Sequence, residues 1–117
     1  MAQYTIYHYP KCGTSRKVVE RLQATGHQVT IIEYIKQGWN KEQLKDMFAK
    51  AGISVQEALR VKGTNAETLG LLQPDIKDDT ILDAMVKDPI LVNRPFVVGD
   101  KGAIFCRPAE KLDEFLS

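Results

Sequence analysis

The sequence is poor in cysteine and has almost no excess of charge. Of its 117 residues only two are cysteine, and 16 basic residues face 15 acidic ones, for a formal net charge of +1. Two cysteines cannot build a disulfide framework. General nucleic-acid or membrane-surface binding proteins usually show a stronger basic excess. We therefore expect no nucleic-acid partner, and any anion has to be bound by a local cluster of basic side chains.

Long apolar runs and metal or nucleotide motifs are also absent. The apolar runs are short, as in PILV at residues 89–92, so we expect no transmembrane helix. The few cysteines and histidines lie far apart and form no zinc signature, and neither GxxxxGKS/T nor GxGxxG occurs. The opening residues, MAQYT, lack the basic and apolar segments of a secretory signal. These absences predict a cytoplasmic protein with reduced thiols, no bound metal and no membrane association.

The length and the 44% apolar content predict one domain, residues 1–117, with a substantial core. The first part of the sequence predicts a strand, a helix and a second strand. Residues 4–7 and 28–35 are rich in β-branched and aromatic residues. Residues 15–24 place Val18, Val19 and Leu22 on one helical face before the stop signal Gly26. A unit of this kind usually contains a parallel strand pair.

The middle of the chain predicts helices and the tail predicts a hairpin. Capping-box spacing at Asn40 and Ser54 opens two helices, and a third begins at residue 78 or 79 and is limited by Pro89. Residues 96–98 and 103–105 flank GDKG as a β-hairpin, and Pro108 is expected to start a last helix. This order predicts an α/β fold, a mixed β-sheet flanked by helices with a helical insertion.

Cys12 is the strongest candidate for chemistry. It stands in HYPKCGTSR (residues 8–16), between the end of a strand and the start of a helix. Unpaired N–H groups and the positive end of the helix dipole favour the thiolate, which is the nucleophilic form. Lys11, Arg16 and a protonated His8 would add positive charge. The alternative is a buried cysteine that serves as a small apolar residue.

The residues after Cys12 could form an anion cradle. Gly13, Thr14 and Ser15 can offer backbone N–H groups and two hydroxyls near a helix N-terminus. The alternative is an ordinary N-cap, in which Thr14 or Ser15 only satisfies the helix end.

Three arginines are candidates for binding an oxyanion. Arg94 and Arg107 each precede a proline, which favours extended backbone, and Arg60 follows the short middle helix. A guanidinium fork can bind two oxygens of a tetrahedral anion at once. Each arginine could also be a solvated surface side chain, and the sequence does not show that the three converge on Cys12.

The loop contains no CxxC pair, because Ser15 stands where the second cysteine would be. Redox chemistry at Cys12 would therefore need a resolving thiol from outside the chain or from Cys106. Cys106 itself is either a structural strand cysteine or a redox-accessible one. Tyrosine-phosphatase chemistry is disfavoured, because its loop separates cysteine and arginine by five residues and only three separate Cys12 from Arg16.

Four segments together resemble the glutaredoxin-coupled bacterial arsenate reductase family. They are the His8–Arg16 loop, GISV leading to Leu59-Arg60, PILVNRP at residues 89–95, and Cys106-Arg107-Pro108. The resemblance implies a thioredoxin-like fold with a helical insertion and a cis peptide bond at Pro95. It also implies the roles of the site residues: Cys12 as the nucleophile, His8 as support for its thiolate, and Arg60, Arg94 and Arg107 as ligands of the oxyanion.

The activity that the resemblance implies is reduction of arsenate to arsenite. A Cys12 thiol–arsenate adduct would form and then be resolved by glutathione and glutaredoxin, with glutathione as a co-substrate, no bound cofactor and the protein a monomer. Two alternatives stay open. One is a thiol-stress regulator that binds RNA polymerase, although such relatives typically carry CxxC. The other is a general glutathione-dependent thiol oxidoreductase, in which the three arginines would have no evident role.

Overall fold

The computed structural model describes residues 2–116, and their contacts divide the chain into two compact units. One unit is Met1–Gln37 together with Arg94–Ser117, and the other is Gly38–Asn93. The strands are β1 (Gln3–His8), β2 (Gln28–Glu33), β3 (Phe96–Gly99) and β4 (Gly102–Phe105). The α-helices are α1 (Gly13–Ala24), α2 (Tyr34–Gln37), α3 (Lys41–Ala51), α4 (Val55–Ala58), α5 (Asp78–Lys87) and α6 (Lys111–Leu116), and a 3₁₀-helix spans Pro89–Leu91.

The first unit contains a mixed four-stranded sheet in the order β2-β1-β3-β4. Strands β1 and β2 are parallel and are joined by α1, as the strand–helix–strand pattern predicts. Strand β3 runs antiparallel to β1 and forms a hairpin with β4 around Asp100 and Lys101. The α/β class, the parallel pair and the hairpin are therefore confirmed.

One apolar cluster of the first unit packs against one face of this sheet. Alternate residues of β1 are buried, which is the period of a strand with one covered face. Helices α1 and α6 supply the opposing apolar side chains. The buried members of this cluster are Tyr4, Ile6, Val18, Leu22, Val97, Cys106, Ala109 and Leu112.

The second unit is the predicted helical insertion. Asn40 accepts a hydrogen bond from the Gln43 N–H at the start of α3, and Gly52 ends that helix with φ 71°. Ser54 and Glu57 form a complete capping box at α4. Helix α5 buries Ile81, Leu82 and Met85 as predicted. In the described part of the chain, residues 2–116, no helix is long and apolar enough to cross a bilayer.

Two predicted boundaries are wrong. The second strand ends at Glu33, which pairs with the last residue of β1, so Tyr34 and Ile35 have no strand to pair with and begin α2. The last helix begins at Lys111 and not at Pro108. Residues 108–110 instead form tight turns, in which the N–H groups of residues 111–113 each bond the carbonyl three residues before.

Candidate active site

The strand register of the first unit brings three distant segments to one end of the sheet. Tyr7 pairs with Phe96, and Phe96 pairs with Phe105. The loop after β1, the segment before β3 and the segment after β4 are therefore neighbours. These segments carry Cys12, Arg94 and Arg107.

Cys12 is the N-cap residue of α1, and its backbone is extended with φ −96° and ψ 122°. Its N–H donates to the Tyr9 carbonyl at 3.0 Å, and its carbonyl accepts from the Arg16 N–H at 3.0 Å, closing the first helical turn. The residue is 9% exposed. Nη1 of Arg107 donates to Sγ of Cys12 at 3.6 Å.

The environment of Cys12 favours its thiolate. Burial alone would raise the pKa of the Cys12 thiol, because it penalises the charged form. Hydrogen bonds from the Ser15 backbone and from the Arg94 and Arg107 side chains outweigh burial and lower the pKa from 9.0 to about 7. A large fraction of Cys12 is therefore ionised at neutral pH, as the helix-start position predicts.

Arg94 and Arg107 are held in place from several sides. Nη1 of Arg107 also donates to the Arg94 carbonyl at 3.1 Å. The Arg94 guanidinium carbon lies 4.4 Å from the centroid of the Tyr9 ring, and Arg94 is 6% exposed. Such burial is unusual for a charged residue and requires partners of opposite charge or polarity. Both peptide bonds that follow these arginines, Arg94–Pro95 and Arg107–Pro108, are cis, which confirms the prediction at Pro95.

His8 and Ser15 form a buried pair beneath the loop. Nδ1 of His8 lies 2.6 Å from Oγ of Ser15, which also accepts from the Tyr9 N–H at 3.1 Å. The His8 ring and the Tyr9 N–H occupy the Ser15 hydroxyl, and the Ser15 N–H contacts Cys12. The part of Ser15 in an anion cradle stays a prediction.

The pKa of His8 makes a charged imidazole unfavourable. Burial lowers it, and although the Glu33 carboxylate raises it, Arg16 lowers it further. The lowered pKa of His8 therefore disfavours a positive charge on the ring. His8 and the Ser15 hydroxyl are hydrogen-bond partners, and the Ser15 N–H contacts Cys12. The support that His8 gives to the thiolate stays a prediction.

Arg16, which was expected to add positive charge near Cys12, has a different role. Arg16 is exposed, and its Nη1 donates to the Pro10 carbonyl at 2.8 Å, so it closes the loop. The cations that lower the pKa of Cys12 are Arg94 and Arg107. Gly13 is exposed and Thr14 is half-buried in the first turn of α1, where no helical carbonyl precedes their N–H groups.

Arg60 belongs to the second unit. It follows α4 and the isolated bridge between Leu59 and Val92. Its N–H donates to the Leu91 carbonyl at 2.7 Å, and its Nε donates to the Lys62 carbonyl at 3.1 Å. Its part in binding an oxyanion stays a prediction.

Cys106 is a structural cysteine. It is fully buried in the core of the first unit, and its N–H donates to the Pro95 carbonyl at 3.0 Å. Burial raises the pKa of its thiol to about 12, although Lys111 lowers it slightly. Its burial and its raised pKa favour the structural interpretation of Cys106 over the redox-accessible one.

Two tyrosines near Arg94 were not found from the sequence. Tyr9 lies inside the Cys12 loop, and its ring faces the Arg94 guanidinium. Tyr34 is 1% exposed; burial raises its pKa to about 12, and a hydrogen bond with Arg94 acts in the opposite direction. The place of Tyr34 in the sequence could have pointed to the site. Tyr34 directly follows β2, and neighbouring parallel strands end at the same edge of a sheet.

The residues described, 2–116, contain no group of three His, Cys, Asp or Glu side chains that could hold a metal ion. The site in the first unit brings together the Cys12 sulfur, the guanidinium groups of Arg94 and Arg107, and backbone N–H donors. Such a set can bind a tetrahedral anion and attack it with sulfur.

The mixed sheet with its flanking helices is a thioredoxin-like fold, and the low-pKa cysteine at the start of its first helix is a candidate thiol active site. The family model described as "ArsC family" matches residues 7–115. The chain therefore belongs to the ArsC family.

Several known proteins are similar to it over nearly its whole length. An arsenate reductase of Synechocystis sp. is 48% identical over 111 residues, which cover 95% of this chain and 79% of that protein. The arsenate reductase of Escherichia coli K12 is 41% identical over 116 residues, covering 99% of this chain and 82% of that protein. The solved structure of an arsenate reductase from Vibrio cholerae superposes with a TM-score of 0.91 at 32% identity, covering 97% of each chain.

Proposed function

We propose that this protein is an arsenate reductase in which Cys12 is the nucleophile. The observation that carries the proposal is the Cys12 sulfur, with a pKa of about 7, held by the guanidinium groups of Arg94 and Arg107. The similarity to arsenate reductases at 41–48% identity supports the choice of arsenate among oxyanions.

The first step is attack of the thiolate on arsenic. Arsenate resembles phosphate and carries about −1.5 to −2 near neutral pH, so an anionic sulfur approaches an anionic substrate. Arg94 and Arg107 neutralise this charge, and we assign the same task to Arg60 of the second unit. An S–As bond forms, an As–O bond breaks, and the leaving oxygen departs as hydroxide or water. The first turn of α1, at the exposed Gly13 and the half-buried Thr14, supplies backbone N–H donors to the anion.

The second stage reduces the adduct with thiols from outside the chain. Glutathione attacks the arsenic of the Cys12 thiol–arsenate adduct, so that a second S–As bond forms and a second oxygen leaves as water. The glutaredoxin thiolate then attacks the glutathione sulfur. A glutaredoxin–glutathione disulfide forms, the S–As bond to glutathione breaks, and its electron pair stays on arsenic and reduces arsenic(V) to arsenic(III). Water finally cleaves the Cys12 S–As bond, which releases arsenite and restores the Cys12 thiol. The burial of Cys106 supports this proposal, because a fully buried thiol with a pKa of about 12 is unsuited to resolve the adduct.

This chemistry also predicts the co-substrate, the cellular compartment and the oligomeric state of the protein. Glutathione is a co-substrate, and no bound cofactor is required. Reduced glutathione and glutaredoxin are characteristic of a reducing compartment, so we place the reaction in the cytoplasm. We expect the monomer to be active and to bind no nucleic acid, which size-exclusion chromatography of the active fraction checks.

The test is a coupled assay with arsenate, glutathione, glutaredoxin, glutathione reductase and NADPH. We expect arsenate-dependent NADPH oxidation and formation of arsenite. Omission of glutaredoxin tests the proposed coupling, and a glutathione mixed disulfide is offered as the rival substrate. Turnover of the mixed disulfide without arsenate reduction would instead identify a general thiol oxidoreductase. Absence of both activities with co-purification of RNA polymerase would identify the regulator.

A further inference from the structure

We propose that Tyr9 is a positioning residue that holds the Arg94 guanidinium against Cys12 and the bound oxyanion; the second half of this statement rests on the proposed function. The guanidinium carbon lies 4.4 Å from the ring centroid. This distance is well inside the roughly 6 Å at which a cation is attracted by the face of an aromatic ring.

The backbone of Tyr9 is already part of the nucleophile loop. Its carbonyl accepts the Cys12 N–H at 3.0 Å, and its N–H donates to Oγ of Ser15 at 3.1 Å. Tyr9 is thus tied through its main chain to the residue that carries the sulfur. Through its ring it is tied to an arginine from the far end of the chain. A displacement of the loop therefore moves the sulfur and the ring together, which keeps Arg94 in register with Cys12.

Arg94 needs such a restraint because its side chain is long and would otherwise lose much rotamer freedom on binding. Tyr34 contacts Arg94 as well and is 1% exposed. Burial raises the pKa of Tyr34 to about 12, so its hydroxyl stays protonated and neutral. The Tyr34 hydroxyl therefore offers a polar contact without a competing negative charge. The charge of Arg94 stays directed at the Cys12 thiolate and the anion.

The test compares Tyr9→Leu, which removes the aromatic face, with Tyr9→Phe, which keeps it. We expect Tyr9→Leu to raise KM for arsenate by about 2- to 30-fold, the range that corresponds to the loss of one cation–π contact. The effect on kcat should be smaller. The Cys12 thiol pKa should rise from about 7 towards 9.0 in Tyr9→Leu and stay in place in Tyr9→Phe.

A double-mutant cycle separates positioning of Arg94 from a general effect on the loop. In an Arg94→Ala background, Tyr9→Leu should cause no further change in KM or in the Cys12 pKa, because the partner of the ring is already absent. An undiminished effect of Tyr9→Leu in that background would overturn the proposal, as would wild-type KM and Cys12 pKa in the Tyr9→Leu single variant.

Fluorinated phenylalanines at position 9 provide a test that keeps the size of the ring. Progressive fluorination weakens the negative face of the ring, so KM and the Cys12 pKa should rise in step with the number of fluorines. If KM and the Cys12 pKa stay constant across the fluorinated variants, the proposal is contradicted, even if Tyr9→Leu fails to fold. The pKa is measured by alkylation without arsenate. The positioning role is therefore judged separately from the activity, and failure of arsenate turnover in the wild type would count against the proposed function alone.

Discussion

The two cysteines of this protein have the same side chain and opposite chemistry. Cys12 caps a helix, contacts two guanidinium groups and has a pKa lowered to about 7. Cys106 lies in the apolar core of the first unit and has a pKa raised to about 12. Cys106 is the more deeply buried of the two, and burial is the main cause of its raised pKa. At Cys12 hydrogen-bond donors offset the desolvation, so the depth of burial and the donors around the sulfur together set the pKa of a buried thiol.

The largest expected contrast between the cysteines is in turnover. Cys12→Ser should abolish arsenate reduction, a loss of at least about 10³-fold, because a serine hydroxyl is a far weaker nucleophile at neutral pH. Cys106→Ala is the matched control and should retain wild-type kcat and KM. Equal losses in the coupled assay for the two variants would show that the buried cysteine takes part in the reaction.

Arg94 and Arg107 should affect the pKa of Cys12 and leave that of Cys106 unchanged. Arg94→Ala and Arg107→Ala should each reduce kcat/KM for arsenate by about 10²–10³-fold, as expected for loss of one preorganised donor to a developing anion. Each should also raise the pKa of the Cys12 thiol, and circular dichroism should show an intact fold. Arg60→Ala should lower kcat/KM in the same way. Wild-type kinetics in all three variants would refute the assignment of the oxyanion ligands.

The smallest expected effect concerns the structural role of Cys106. Cys106→Ala should lower the free energy of unfolding by about 1–2 kcal/mol, because it leaves a small cavity in a packed core. Urea unfolding followed by tryptophan fluorescence and circular dichroism measures this change. The free energy of unfolding of Cys12→Ala, measured in the same way, is the comparison. A Cys106→Ala variant as stable as the wild type would show that this sulfur contributes nothing to packing.

Much of the fold follows from local patterns in the sequence. The strand–helix–strand start, the caps at Asn40 and Ser54, and the GDKG hairpin depend on neighbouring residues, and all are confirmed. One of the two wrong boundaries, the start of the last helix, depends on local turns, and the other lies where pairing between distant segments decides. Residues Tyr34 and Ile35 have strand-forming side chains but no partner beyond the last residue of β1.

The site was only partly predictable for the same reason. The position of Cys12 at a helix start is a local feature, and the part of its lowered pKa that comes from the Ser15 backbone N–H follows from it. The approach of Arg94 and Arg107 depends on β3 pairing with β1, which no local pattern specifies; only the family resemblance pointed to it. The contacts of Tyr9 and Ser15 depend on how the loop folds over the buried His8. Sequence patterns do not give such side-chain directions.

The most direct test of the central claim is the rate of iodoacetamide alkylation of the native protein against pH, with each cysteine followed by mass spectrometry. We expect Cys12 to react with a midpoint near pH 7 and Cys106 to remain unmodified until the protein is unfolded. In Arg107→Ala the Cys12 midpoint should move upward. A wild-type Cys12 midpoint at or above the ordinary thiol value of about 8.5 would contradict a thiolate held by arginines.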